Sequence, residues 1–101
     1  MSKYRSVKTT IDGIKFDSKK EAKRYQELKI LERVGEVKSL ELQPRYDLIV
    51  NTVKIGFYKA DFRYIQDEKE VVEDVKGMKT PIYNLKKKLV KAIYGIKIYE
   101  T

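Results

Sequence analysis

Apolar and polar positions alternate with two different periods along this chain, and the changes of period mark its elements. In VKTTIDGIKF the alternation runs on both sides of Asp12-Gly13, a dipeptide suited to a two-residue reversal, and predicts a small N-terminal β-hairpin within residues 1–17. The period then lengthens. Residues 18–34 read as a helix, with Ser18 as N-cap, Glu21 three residues later and Gly35 as the stop. Val37 to Val50 reads as a long strand bent near Pro44, and Val53 to Tyr64 as a second strand. A charged turn at Gln66–Lys69 leads to a third strand over Glu70–Lys76. After Gly77, the spacing of Ile82, Leu85, Leu89 and Ile93 predicts a second helix ending at Gly95, and Ile96–Tyr99 a short closing strand. The order, hairpin, helix, three strands, helix and strand, implies an α/β chain of the α+β type with a mixed sheet flanked by helices.

Side chains alternate between the faces of a strand, so each strand divides into two sets. In VVEDVKG, Val71, Glu73 and Val75 share one face, and Val72, Asp74 and Lys76 the other. In YKADFRY, Tyr58, Ala60, Phe62 and Tyr64 point one way, and Lys59, Asp61 and Arg63 the other. If the two strands are neighbours, Asp61 and Asp74 converge with Lys76 beside them. Two carboxylates at close range repel each other, and a cation between them relieves that cost. Carboxylates with a backbone carbonyl and water suit magnesium, and a lysine beside it can hold water or stabilise charge on a phosphate. The plainer reading is an exposed strand side carrying an Asp–Lys pair.

Composition narrows the chemistry. At 101 residues and 42% hydrophobic, the chain can bury one modest core, so residues 1–101 are read as one domain. Lys and Arg number 23 against 15 Asp and Glu, a formal charge of +8, which makes a polyanion the first partner to consider. With no cysteine and no histidine, thiolate zinc sites, disulfides and histidine bases are excluded. No apolar run approaches the roughly 20 residues of a membrane span, and MSKYRSVKTT lacks the apolar core of a signal peptide, so a cytoplasmic protein is expected.

Ala60-Asp61 followed by Asp74-Val75-Lys76 resembles the signature of the PD-(D/E)xK nuclease superfamily, with alanine in place of the proline. FDSKKEAKRYQEL, LELQPRYDL, YKADFRY, VVEDVKG and LKKKL together resemble a small phage-encoded family similar to phage endonucleases that resolve Holliday junctions. The resemblance implies a restriction-endonuclease-like αβββαβ core and metal-dependent cleavage of branched DNA in phage recombination or replication. It also implies a homodimer as the working form, within the bacterial host cytoplasm.

On that reading Asp61, Asp74 and the Val75 carbonyl hold magnesium, for which manganese can substitute, and Lys76 is the catalytic lysine. Many members of the superfamily add a glutamate from the first helix, here Glu21. Ser18-x-x-Glu21 also fits a capping box, while Glu21, Tyr25, Leu28 and Glu32 fall on one helix face, so both roles are open. Glu73 lies opposite Lys76 by the period of two, so Asp74 is chosen. Gln43 reads as a polar residue at a strand bend. Lys19, Lys20, Lys23 and Arg24 on the first helix, Lys86, Lys87, Lys88 and Lys91 on the second, and Lys3, Arg5 and Lys8 near the start are either a solvated surface or a track for phosphates. The alternative function is a non-catalytic DNA-binding or inhibitory phage protein that keeps the nuclease fold.

Overall fold

The computed structural model describes residues 8–76 and 79–101. Lys3, Arg5 and Gly77 therefore lie outside the described residues. The N-terminal hairpin pairs β1 (Thr9–Ile11) with β2 (Ile14–Phe16). Its turn residues Asp12 and Gly13 have φ of 53° and 75°, the left-handed pair that a tight reversal requires. Helix α1 (Lys19–Arg33) starts where Ser18 Oγ accepts the Glu21 N–H at 3.1 Å. It buries Glu21, Ala22, Tyr25 and Leu28 on one face.

The two long strands expected from the alternation are each broken. The first divides into β3 (Lys38–Leu42) and β4 (Arg45–Val50), the second into β5 (Val53–Lys59) and β6 (Phe62–Gln66). Pro44 has no N–H to give to a ladder, and Gln43 before it takes a φ of 52°. Opposite the bend, the Pro44 carbonyl accepts from Ala60 N–H at 3.1 Å and Gln43 N–H donates to the Asp61 carbonyl at 3.0 Å. The hairpin β4–β5 thus leaves the main sheet as a two-stranded unit. The main sheet, in the order β3-β6-β7-β8, is completed by β7 (Lys69–Asp74) and β8 (Tyr99–Glu100). Strands β3, β6 and β7 are antiparallel neighbours and β8 runs parallel to β7, so the sheet is mixed.

Two cores cover the two faces of this sheet. Phe16, Ala22, Tyr25, Leu28, Val37, Phe62 and Tyr64 pack on the α1 side. Leu48, Tyr58, Ala60, Val72, Tyr83, Val90 and Ile98 pack on the other, under β4–β5 and helix α2 (Pro81–Tyr94). The expected single face for Tyr58, Ala60, Phe62 and Tyr64 is therefore corrected. The break at Ala60-Asp61 resets the alternation, so Tyr58 and Ala60 join the face that carries Val72 and Asp74.

Helix α2 begins with Thr80 Oγ1 accepting the Tyr83 N–H at 3.1 Å and Pro81 in its first turn, and ends at Gly95 with φ 71°. Its buried residues are Tyr83 and Val90, with Leu89 and Ile93 partly buried. The stripe expected through Ile82 and Leu85 is corrected, since these are 67% and 56% exposed. The helix is rotated so that the Tyr83 hydroxyl reaches Glu100 at 2.6 Å. Among the described residues no helix is long and apolar enough to cross a membrane.

Candidate active site

Asp61 sits in the break before β6, fixed through its backbone rather than by a regular ladder. Its N–H donates to the Glu73 carbonyl at 3.1 Å, and its carboxylate Oδ2 accepts the Val75 N–H at 2.8 Å. Asp74, the last residue of β7, is 1% exposed. Its Oδ2 accepts from the Tyr58 hydroxyl, and its Oδ1 lies 3.5 Å from the Lys76 ammonium. Lys76 is held from a second side, 4.3 Å from the centre of the Tyr83 ring. Lys20 reaches the same place, its Nζ donating to the Lys76 carbonyl at 3.3 Å.

Burial is the largest force on Asp61 and raises its pKa from 3.8 to about 8. The facing Asp74 carboxylate comes next: it accepts the Asp61 proton and repels the charged form. The Val75 N–H opposes both, and Glu21 adds a smaller repulsion. Burial also raises the Glu21 carboxyl, with Asp17 and Asp74 pushing the same way and Lys76 against them. The Tyr58 phenol is pushed far above its ordinary range by burial first and by its bond to Asp74 second. It is a donor to Asp74 at any physiological pH.

The structure brings Asp61, Asp74 and Lys76 together and places Glu21 within electrostatic reach of all three. Glu21 receives the N-cap bond through its backbone, and among the described residues no hydrogen bond of its carboxylate closes the capping box. Among the described residues, no three carboxylates form a ready-made cation-binding group. The pair Asp61 and Asp74 nevertheless suits a hard divalent cation, because two facing carboxylates, one buried and one partly buried, repel each other and a positive charge between them relieves that cost.

Glu73, the spare acid of the motif, has a separate function. It is fully buried on the α1 face, where Arg24 grips both its oxygens, Nε to Oε2 at 2.7 Å and Nη2 to Oε1 at 3.0 Å. Tyr64 donates to Oε1 at 2.6 Å and Thr101 to Oε2 at 3.0 Å. This knot takes Arg24 out of the expected phosphate track. Of the remaining lysines, Lys19 is exposed, Lys86 stands 5.4 Å from the Phe57 ring, Lys87 pairs with Glu100 at 3.2 Å, and Lys88 is exposed.

Residues 1–98 match a family described as Protein of unknown function (DUF1064). The chain belongs to this family. No curated protein and no solved structure matches it. The DUF1064 match spans Asp61, Asp74, Lys76, Tyr58 and Tyr83, whereas Glu100 at the end of β8 and Thr101 after it, which brace the site, lie beyond it.

Sequence reasoning does not single out Tyr58, Tyr83 or the pairing of Arg24 with Glu73. By composition and pattern the two tyrosines are ordinary core residues, and only the strand break reveals that Tyr58 faces Asp74.

The Asp61 proton has a measurable consequence. A carboxyl whose pKa is higher in the folded chain than in the unfolded chain lends stability that is complete below 3.8 and lost as pH rises through about 8. In chelator the unfolding free energy should therefore fall across this window, by up to about 1.4 kcal/mol per pH unit where unfolding releases one proton, and the melting temperature should fall with it. Glu21 contributes in the same direction. Manganese at pH 8 should restore stability by taking the proton's place. Asp61→Asn should flatten the fall and remove the manganese effect, and a flat profile in the unmodified chain would contradict the shared proton.

Proposed function

We propose that this chain is a metal-dependent DNA endonuclease of the PD-(D/E)xK type, built on a restriction-endonuclease-like core. The observation that carries the reading is a pair of facing carboxylates, the buried Asp74 and the partly buried Asp61, with the Lys76 ammonium alongside. A structural role explains this poorly, since burying like charges together costs stability and a site with a purpose justifies that cost.

Asp61 and Asp74, with the Val75 carbonyl, are the residues that would hold magnesium or manganese, and Glu21, within electrostatic reach of both acids, is the acid that would join them. A bound divalent ion supplies charge neutralisation at a phosphate and makes water more acidic. The chain's own contribution is orientation. Tyr58 fixes the rotamer of Asp74, Val75 N–H fixes Asp61, and Asp74 with the Tyr83 ring aims the Lys76 ammonium. That ammonium can hold the attacking water or meet the charge that grows on the phosphate oxygens. The formal charge of +8 favours a polyanionic substrate.

The substrate proposed is branched DNA such as a Holliday junction, in phage recombination or replication within a bacterial host cytoplasm. A homodimer is the proposed working form, because symmetric cutting of a junction needs two sites and each chain holds one. The exposed Val53, Ile55, Ile82 and Leu85 offer apolar surface that a second copy would cover. A non-catalytic DNA-binding protein would share the charge but has no use for the Asp61–Asp74 pair.

The test is incubation with four-way, flapped and linear DNA in magnesium and in manganese. The expected result is metal-dependent nicking, fastest on the four-way substrate. Equal rates on linear and branched DNA would remove the junction preference, and no nicking of any substrate would replace the enzyme with the binding protein.

A further inference from the structure

A concavity of about 470 Å³ lies between α2 and the segment that follows it, lined by Asn84, Lys87, Lys88, Lys91, Ile96, Lys97 and Ile98. Its shape follows from the helix end. Gly95 in the left-handed conformation turns the chain back, so Ile96, Lys97 and Ile98 run beside the face of α2 that carries positions 84, 87, 88 and 91. Four lysines thus line one hollow together with the buried Ile98.

The charge balance in this hollow is incomplete. Glu100 is the acid beside it and is fully engaged: Lys87 at 3.2 Å, Lys79 at 3.0 Å and the Tyr83 hydroxyl at 2.6 Å all converge on its carboxylate. Those partners, the tyrosine first, hold the Glu100 carboxyl down at about 2, so it stays ionised and occupied. Lys88, Lys91 and Lys97 have no ion-pair partner among the described residues. Three lysines without an ion-pair partner along one hollow create a field that an anion relieves. The hollow is also larger than a lone phosphate needs and falls in the range that accepts small organic ligands. Its isoleucines provide an apolar wall for a sugar.

We propose that this hollow is a second phosphate site, which takes a phosphodiester of bound DNA with its oxygens among Lys88, Lys91 and Lys97 and its deoxyribose against Ile96. The proposal rests on the reading of the chain as a DNA-acting protein. The site is separate from the Asp61–Asp74 pair and is joined to it through Lys87, Glu100 and Tyr83, whose ring lies under Lys76. A strand gripped here is therefore positioned relative to the lysine of the cleavage site.

The experiment compares the whole chain with Lys88→Gln/Lys91→Gln/Lys97→Gln and with a control of equal charge loss, Lys15→Gln/Lys38→Gln/Lys69→Gln. Binding of a fluorescent four-way DNA is measured in calcium over a range of salt, and melting temperatures confirm that both variants fold. The slope of log affinity against log salt should weaken by about 0.9 for each phosphate that a lysine no longer neutralises. The pocket variant should show a slope weaker by at least that amount, and the control should keep the slope of the unmodified chain. In a parallel titration followed by methyl NMR, the Ile96 and Ile98 signals should move with DNA and not with thymidine monophosphate alone. Equal slopes for the two variants would overturn the site. Movement with the free nucleotide and no change of slope would overturn the DNA strand as its ligand. Failure of the unmodified chain to bind DNA would overturn the DNA-acting reading itself, and binding with an unchanged slope would overturn the second site alone.

Discussion

Asp74→Asn should lower the rate of metal-dependent DNA cleavage by at least about a hundredfold, the scale on which losing one preorganised charge-stabilising group at a reacting centre is felt. The variant isolates charge from shape. Asparagine is the same size, and its oxygen can still accept from Tyr58, so the bond that anchors position 74 survives. The substitution removes a negative ligand and the anchor of the Lys76 ammonium, 3.5 Å away. The melting temperature at pH 8 in chelator should hold or rise, because Asp61 no longer faces a second negative charge. A rate near that of the unmodified chain would place the chemistry elsewhere, whereas loss of rate with a collapse in melting temperature would mean that Asp74 is chiefly structural.

Arg24→Ala should cost about 3–5 kcal/mol of stability, the penalty for leaving one member of a buried ion pair unmatched. Glu73 is 0% exposed and would lose the two guanidinium bonds at 2.7 and 3.0 Å, keeping only the neutral donors Tyr64 and Thr101. For a chain of this length the loss corresponds to roughly 12 °C or more in melting temperature. Arg24→Met/Glu73→Leu together should recover much of it, since an apolar pair of similar volume removes both charges from the interior. Urea unfolding of the two variants checks this; a loss under about 1 kcal/mol for Arg24→Ala would show that Glu73 finds other compensation. The effect should extend to the site. Thr101, which donates to Glu73, also clamps the end of β7 with its backbone, its N–H on the Asp74 carbonyl at 3.0 Å and its carbonyl on the Lys76 N–H at 3.1 Å.

Local signals make several elements legible in the sequence. Asp12-Gly13, Ser18, Gly35 and Gly95 act through their own backbone preferences, and the hairpin and both helices fall where these residues place them. The meeting of Asp61 with Asp74 is also legible, because it needs only period-two alternation and adjacent strands. Tyr58 is not. Its face depends on a break at Ala60-Asp61 that arises from pairing with Gln43 and Pro44, and no local pattern at Tyr58 records that partner. In α2 the sequence offers two overlapping apolar arcs, one through Ile82 and Leu85 and one through Tyr83 and Val90. Helical spacing cannot choose between them, and the bond from Tyr83 to Glu100, 17 residues further along the chain, does. The knot at Glu73 is hidden for a similar reason, since its partner Arg24 looks like one more cation in a basic helix.

Strand β7 reads Val71-Val72-Glu73-Asp74 at its C-terminal end, and both faces of it are buried there. Slid by one residue against its neighbours, it would still present valine and acid to each side, so hydrophobicity alone barely distinguishes the correct pairing from the shifted one. The length of the acid makes the distinction. Glutamate spans the distance to Arg24 and Tyr64, where aspartate would fall short by a methylene; aspartate fits beneath the Tyr58 hydroxyl, where glutamate would crowd. Two adjacent acids differing by one carbon thus act as a key that seats the strand in a single position, and Glu73→Asp/Asp74→Glu, which preserves every charge, would leave that key cut for the wrong lock.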